Sequence, residues 1–327
     1  MNYRILGKTG FRISEISLGT WQVGGKWGNT FDAQLADRIL DTAIEGGVNF
    51  LDTADVYSDG LSEKAVGRAL KRHQQRIYVA TKCGRQIRPH TNEGYKPDVL
   101  RGFVEDSLRR LQVETLDLIQ LHCPPTQVYY RPEIFELFDR LKEEGKILNL
   151  GVSVQKVEEA LKSIEFPNVT SVQIIFNMFR HRPAELFFRE ARRKNVGIIV
   201  RVPLASGLLS GQFSRDTQFG KDDHRTFNRD GSSFDKGETF SGIPYETGLR
   251  TVEELREQLS GRNLVHTALR WILEFPEVST VIPGASRPEQ VTDNLAALRM
   301  SALSTSEKQA IDQVYEKEIK SLVHQRW

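Results

Sequence analysis

Between residues 16 and 282, short β-favouring runs alternate with amphipathic helical stretches at a repeat of roughly 30–40 residues, the spacing that strand, helix, strand units require. Strands connected through helices lie parallel, because only a crossover can return the chain to the same end of a sheet. The predicted strands are 16–18, 49–52, 77–81, 116–121, 149–152, 171–176, 197–202 and 278–282. Helices predicted at 34–45, 62–71, 97–111, 132–144, 157–164, 184–194 and 264–273 each carry apolar residues on one face at a spacing of three and four. Eight such units predict an α/β protein with a closed (β/α)8 TIM barrel. An open doubly wound sheet is the rival, but Leu18-Gly19-Thr20-Trp21 after the first strand lacks the Gly-x-Gly-x-x-Gly turn that such a sheet uses for a dinucleotide.

The regular repeat is framed and interrupted at three places. Residues 3–14 read as an N-terminal β-hairpin around Gly7-Lys8-Thr9-Gly10. Gly7-Lys8-Thr9 is not expected to bind phosphate, since the upstream glycine and following helix of a phosphate loop are missing. After the seventh strand, residues 207–250 show no convincing long helix or strand, and a loop of that length at a barrel mouth is expected to be a lid. Residues 303–327 add a helix predicted at 306–319 and a tail ending in Trp327, giving one expected domain over 1–327.

The net charge of +2 and the lack of a Lys/Arg-dense block give no footprint for nucleic acid. No apolar run has membrane-spanning length, and Met1-Asn2-Tyr3-Arg4 lacks the core of a signal peptide, so a soluble cytoplasmic protein is expected. Cys83 and Cys123 are too few and too distant for a disulfide framework. Strand alternation should turn both away from the barrel mouth into packing.

In a barrel, the C-terminal ends of different strands converge on one mouth. The second predicted strand ends at Asp52 with Tyr57 five residues on; Lys82 follows the third and His122 the fourth. An acid, a phenol, an ammonium and an imidazole therefore meet. Hydride delivery to a carbonyl builds negative charge on oxygen, which must be protonated or hydrogen-bonded as it forms. Tyr57 would be the acid, Lys82 would lower its pKa, Asp52 would hold Lys82 charged, and His122 would orient the carbonyl.

Taken with Gly151-Val152-Ser153, Gln173-Ile174-Ile175-Phe176-Asn177, Pro203-Leu204-Ala205-Ser206-Gly207-Leu208-Leu209-Ser210-Gly211 and Ile282-Pro283-Gly284-Ala285, these motifs make nearly the whole chain resemble the aldo-keto reductases. The resemblance implies a (β/α)8 barrel and reduction of an aldehyde or ketone, with Asp52, Tyr57, Lys82 and His122 as the catalytic set. It implies NADP (NADPH) bound without a Rossmann domain. Gly19, Thr20, Trp21 and Asp52 would lie along that cofactor, with Ser153 and Gln173 at the carboxamide and Arg201 beside the nicotinamide. Pro203, Leu204, Ser206, Gly207 and Leu209 would follow the pyrophosphate side. The anion-favouring helix start after Gly284 would place Ser286 and Arg287 at the 2′-phosphate, and Gln290 and Asn294 at the adenine.

Three positions depart from that pattern. Arg201 stands where an aromatic ring often stacks on the nicotinamide, and its charge should disfavour the oxidised, cationic ring. Val154 replaces an asparagine, and Gln212 replaces a lysine near the pyrophosphate. Trp21 and Trp27 are expected either to wall a substrate pocket or to pack in the core. Asp222-Asp223-His224-Arg225 is expected to pair internally and pin the lid, since no second histidine stands at metal-ligand spacing. The partners expected are a small carbonyl substrate and no nucleic acid or membrane. Two alternatives stand beside reduction: a nucleotide-binding regulatory subunit, against which the absence of a docking extension before the hairpin is expected to count, and the same chemistry run as NADP-dependent alcohol or sugar oxidation.

Overall fold

The computed structural model describes residues 1–25, 30–259 and 261–327. Strands β1 (Tyr3–Ile5) and β2 (Arg12–Ser14) pair antiparallel as the predicted hairpin. Eight parallel strands then follow in sequence order: β3 (Leu18–Gly19), β4 (Phe50–Asp52), β5 (Tyr78–Cys83), β6 (Leu116–His122), β7 (Ile147–Ser153), β8 (Val169–Ile175), β9 (Gly197–Arg201) and β10 (Val278–Val281). Parallel bridges from Ile16 to Val281 and from Gly19 to Gly284 bring the first and last strands together. This is the (β/α)8 TIM barrel expected from the repeat.

The barrel-side helices are α1 (Ala33–Glu45), α2 (Leu61–Arg72), α3 (Pro97–Leu111), α4 (Pro132–Glu143), α5 (Val157–Ser163) and α6 (Phe187–Arg193). After β9 come α7 (His224–Phe227), α8 (Tyr245–Gln258) and α9 (Leu264–Leu273), and after β10 come α10 (Pro288–Ala296), α11 (Thr305–Val314) and α12 (Lys320–Val323). Local chemistry fixes the starts. Asp32 caps α1 by accepting from the Leu35 N–H at 2.9 Å, and a proline opens α3, α4 and α10, where its missing N–H costs nothing. The buried face of α1 is Ala36, Ile39, Leu40, Ala43 and Ile44, the spacing that signalled a helix.

Two helix starts depart from expectation in ways the sequence explains. Helix α6 starts at Phe187, after a 3-10 turn at Arg182–Ala184 that contains Pro183. Helix α8 begins inside the stretch expected to be loop. Its buried face is Gly248, Thr251, Val252 and Leu255, and the two weakly apolar residues blunt the periodic signal. The remainder of 207–244 is turns and short helices, as expected.

Inside the barrel, side chains alternate between lining and outer faces, so positions two apart stack in layers. Leu6 and Ile13 of the hairpin pack with Phe50, Ala80, Leu118, Ile199 and Ile282 in a closed apolar layer. Burying each large side chain there contributes about 1.5–3 kcal/mol, so the hairpin seals the barrel end where the strands begin. Two residues further along the same strands stand Asp52, Lys82, Gln120 and Arg201. The sheet register sets Lys82 beside Gln120, and His122 beside Ser153, which lies beside Gln173. The polar layer is therefore a consequence of strand phase. No helix among the described residues is long and apolar enough to cross a membrane.

Candidate active site

Lys82 lies at the centre of the polar layer. Its Nζ donates to Asp52 Oδ1 at 2.5 Å, to the Thr53 carbonyl at 2.8 Å and to Tyr57 Oη at 3.2 Å. Both charged side chains are almost fully buried, so the pair holds together only because its remaining lone pairs and protons are satisfied. Asp52 Oδ2 completes this by accepting from Gln173 Nε2 at 2.7 Å and Gln120 Nε2 at 3.1 Å. His122 faces Tyr57 edge-on with ring centroids 6.0 Å apart, and Trp21 stacks on the other side of Tyr57 at 6.2 Å. The four residues read from three strand ends do converge.

The electrostatics depart from expectation at Tyr57. Burial pushes its phenol above the usual value, and the pull of Lys82 in the other direction does not overcome this. Burial alone would lower Lys82, but Asp52 and Tyr57 outweigh it and hold the ammonium above its ordinary range. His122 falls well below the usual histidine value, through burial first and then Arg85, Lys82 and Arg201, so it is neutral at pH 7. A protonated phenol and a neutral imidazole thus flank the same space. Together they can hold a carbonyl oxygen, one as proton donor and the other as a hydrogen-bond donor.

That space is one end of a cavity of about 910 Å³. Gly19, Thr20, Trp21, Asp52, Tyr57 and His122 line this end. Ser153, Gln173, Arg201, Pro203, Leu204, Ser206 and Gly207 continue the wall, with Gly284 beside Gly19 and then Ser286, Arg287 and Gln290. Lys82, Leu209 and Asn294 do not line it. Lys82 is buried and contacts Tyr57 Oη, Leu209 is buried in the apolar core, and Asn294 donates to the Gly284 carbonyl at 3.4 Å. Gly19 is needed where it is: a Cβ there would stand 2.9 Å from the Ile282 carbonyl oxygen. Trp27 lies outside the described residues.

Several of these groups already have partners. Gln173 binds Asp52, and the Thr20 hydroxyl donates to the Asp52 carbonyl at 3.0 Å. Ser206 Oγ donates to the Glu238 carbonyl at 2.9 Å and accepts from the Phe240 N–H at 3.1 Å, tying the lid to the loop after β9. That loop takes positive φ at Val202, Ala205, Ser206 and Gly207, a run that curls backbone N–H groups toward one side at some cost in strain. The Asp223 carboxylate caps the short α7 and receives Arg225 Nη2 at 2.6 Å, the internal lid pairing the sequence suggested.

One expectation is overturned. Cys83 does point into the outer core, but Cys123 turns inward, with Sγ 3.5 Å from Ser153 Oγ and 3.6 Å from Arg201 Nη2. Its φ of +47° breaks the strand alternation on which the outward reading rested. Sequence reasoning also missed Gln120, Arg85, Phe234 and Glu238. Gln120 was findable, since it sits two residues before His122 on the same lining face. Arg85 lies three residues past Lys82, beyond the strand. Glu238 comes from the lid, where no periodicity points to it, and it is buried against Arg85 at 3.3 Å and Arg201 at 3.7 Å.

Asp55 is buried behind the site with neither carboxylate oxygen hydrogen-bonded. Burial, and then the neighbouring Glu63, push it up to about 7, against the pull of Arg110. A carboxyl raised in the folded state binds protons there that the unfolded chain has released, so stability falls as pH rises from about 4 to about 7. The full cost of ionising it is about 4 kcal/mol. Asp55→Asn should therefore gain stability relative to the parent between pH 5 and pH 8. Urea unfolding of both proteins at the two pH values measures this, and an unchanged difference would show that Asp55 is solvated.

The Aldo/keto reductase family model matches residues 15–316. Aldo-keto reductase YhdN of Bacillus subtilis (strain 168) is 29% identical over 327 residues, covering 98% of this chain and 95% of its own. The NADH-specific methylglyoxal reductase of Escherichia coli (strain K12) is 29% identical over 326 residues, covering 90% and 93%. Among solved structures, the holo form of aldo-keto reductase AKR11C1 from Bacillus halodurans is 30% identical with a TM-score of 0.77, covering 96% of each chain.

Proposed function

The chain belongs to the aldo/keto reductase family of oxidoreductases, which act on carbonyls or alcohols, and from that premise we propose that it reduces an aldehyde or ketone with NADPH. The observation that carries this reading is the single Lys82 ammonium bonded to both Asp52 and Tyr57, with neutral His122 across the same space. A bound nicotinamide would supply the hydride. Tyr57 gives its proton to the carbonyl oxygen, Lys82 stabilises the phenolate left behind, and Asp52 keeps Lys82 in place. His122 donates from Nε2 to the same oxygen and fixes its direction.

The cavity wall suits a nicotinamide dinucleotide. Arg201 Nε and His122 Nδ1 are buried without a hydrogen-bond partner at the chemical end. Beyond β10, α10 opens with Pro288 beside Ser286 and Arg287, and a helix start of this kind favours a phosphate; Ser286 N–H and Oγ both donate to Gln290 Oε1, and the Gln290 N–H donates to the Arg287 carbonyl. The Arg287 guanidinium is largely exposed and only 4.0 Å from its nearest carboxylate, Glu289, so it is free to serve a 2′-phosphate. Arg201, at the nicotinamide end, favours the neutral reduced ring over the cationic oxidised one, which supports reduction over oxidation.

Fluorescence titration with NADPH and NADH tests the cofactor assignment. Arg287→Ala should weaken NADPH binding roughly 10–100-fold, the value of one charge-assisted contact, while NADH binding stays close to the parent. Equal losses for both nucleotides would remove the 2′-phosphate role. Turnover of a neutral aldehyde such as 4-nitrobenzaldehyde separates reductase from regulatory subunit.

A further inference from the structure

The cavity holds a charge that neither the proton donor nor the cofactor positions use. Arg85 leaves the end of β5 and reaches the chemical end with its side chain 19% exposed. Its Nη1 lies 3.5 Å from His122 Nε2 and 3.3 Å from Glu238 Oε1, both at the long end of hydrogen bonding. Nε and Nη2 have no hydrogen-bond partner among the described residues. The guanidinium carbon lies 5.2 Å from the centroid of the Phe234 ring.

Around it, positive charge exceeds negative, and Arg88, which lines the same cavity, bonds only backbone carbonyls among the described residues. Lys82 is matched by Asp52, and Arg225 by Asp223. Arg85 and Arg201, however, share the single carboxylate of Glu238. His122 is neutral, and burial brings His224 down to about 4. The surplus lies on the substrate side, because the positions proposed for the cofactor beyond Asp52 come mainly from β7 to β10 and their loops. Arg85, like Tyr57 and His122, comes from β4 to β6.

Resting on the reductase reading above, we infer that Arg85 is a specificity-determining residue and that the substrate carries a carboxylate next to its reacting carbonyl, a 2-oxo acid. The 3.5 Å between Arg85 Nη1 and His122 Nε2 puts the guanidinium beside the imidazole that holds the carbonyl oxygen, so a carboxylate on the carbon next to the keto carbon lies within its reach. An arginine cannot accept a hydrogen bond; when the His122 Nε2–H hydrogen-bonds to the keto oxygen and keeps its proton, Arg85 donates to the neighbouring carboxylate, which its planar fork suits. Glu238, 3.3 Å from Arg85 and 3.7 Å from Arg201, offsets part of the charge that the carboxylate would meet. The reaction then adds a hydride to the keto carbon and a proton from Tyr57 to its oxygen, giving a 2-hydroxy acid with the carboxylate unchanged.

The test compares phenylglyoxylate with its methyl ester, which has the same shape and a more electrophilic ketone. The wild-type protein should show the higher kcat/KM on the acid, against intrinsic reactivity. Arg85→Gln should lower the acid-to-ester ratio of kcat/KM roughly 10–100-fold, and Arg85→Lys should recover part of it. Glu238→Gln should raise the ratio, which a merely structural role for Arg85 would not produce. The inference is overturned if the wild type prefers the ester, or if Arg85→Gln lowers both substrates equally. Reduction of 4-nitrobenzaldehyde with no turnover of the acid would defeat this inference alone; no turnover of any carbonyl would defeat the reductase reading itself.

Discussion

Tyr57→Phe should lower kcat for aldehyde reduction by about 10²–10⁴-fold, the usual worth of a positioned general acid. The change is confined to one oxygen. Phenylalanine keeps the ring between Trp21 and His122, and Lys82 keeps Asp52 and the Thr53 carbonyl, so no buried charge is left unpaired. The stability lost should therefore stay within that of a single hydrogen bond to a charged group, about 1.5–3 kcal/mol. Steady-state rates and thermal melts on the same preparations decide it. A variant retaining a third of the parent kcat would mean that His122 or solvent supplies the proton.

The pH profile of the parent carries a second arm of the same prediction. With burial holding Tyr57 above 10.0, its proton is present across the neutral range, and kcat/KM should fall only in alkaline solution above pH 10. Had Lys82 won over burial, as the sequence suggested, the fall would begin nearer neutrality. On the acid side His122 lies well below 6.5, so no decline should centre on the ordinary histidine value.

How the site could be read so far from sequence, and where that stopped, follows from strand phase. Asp52, Lys82 and His122 stand at the ends of consecutive strands with every second residue facing inward, so a correct strand assignment already brings them together. The same rule failed at Cys123, one residue beyond β6, where a positive φ turns the side chain back to Arg201. It had nothing to say about Glu238, which reaches the site through a lid whose turns carry no period. The direction of the Tyr57 shift was also beyond it. Proximity of Lys82 was legible, but the desolvation opposing it depends on three-dimensional enclosure by residues scattered from Trp21 to Phe234. Helix α8 was hidden for a simpler reason, a buried face built partly from glycine and threonine.

Lys82→Met should cost both activity and fold. Removing one member of a buried ion pair leaves the other uncompensated, which typically costs about 3–5 kcal/mol. Gln120 and Gln173 still donate to Asp52 Oδ2, but Oδ1 loses its 2.5 Å partner and the Thr53 carbonyl loses a donor at 2.8 Å. Combining Lys82→Met with Asp52→Asn should restore much of the stability, since no charge remains to be paired, while activity stays at the level of the single variant. A double-mutant cycle by urea unfolding measures the coupling; strictly additive losses would mean that the pair contributes through packing alone. The alkaline limb gives an independent check. Lys82 is raised in the folded state, so its contribution is complete below 10.5, where both states are protonated, and is lost as the pH climbs toward the folded-state value and the unfolded chain releases the proton first. The parent should therefore lose stability steadily above that pH, and the double variant should lose distinctly less. If the two alkaline limbs coincide, the charge on Lys82 is not what holds Tyr57 and Asp52 together.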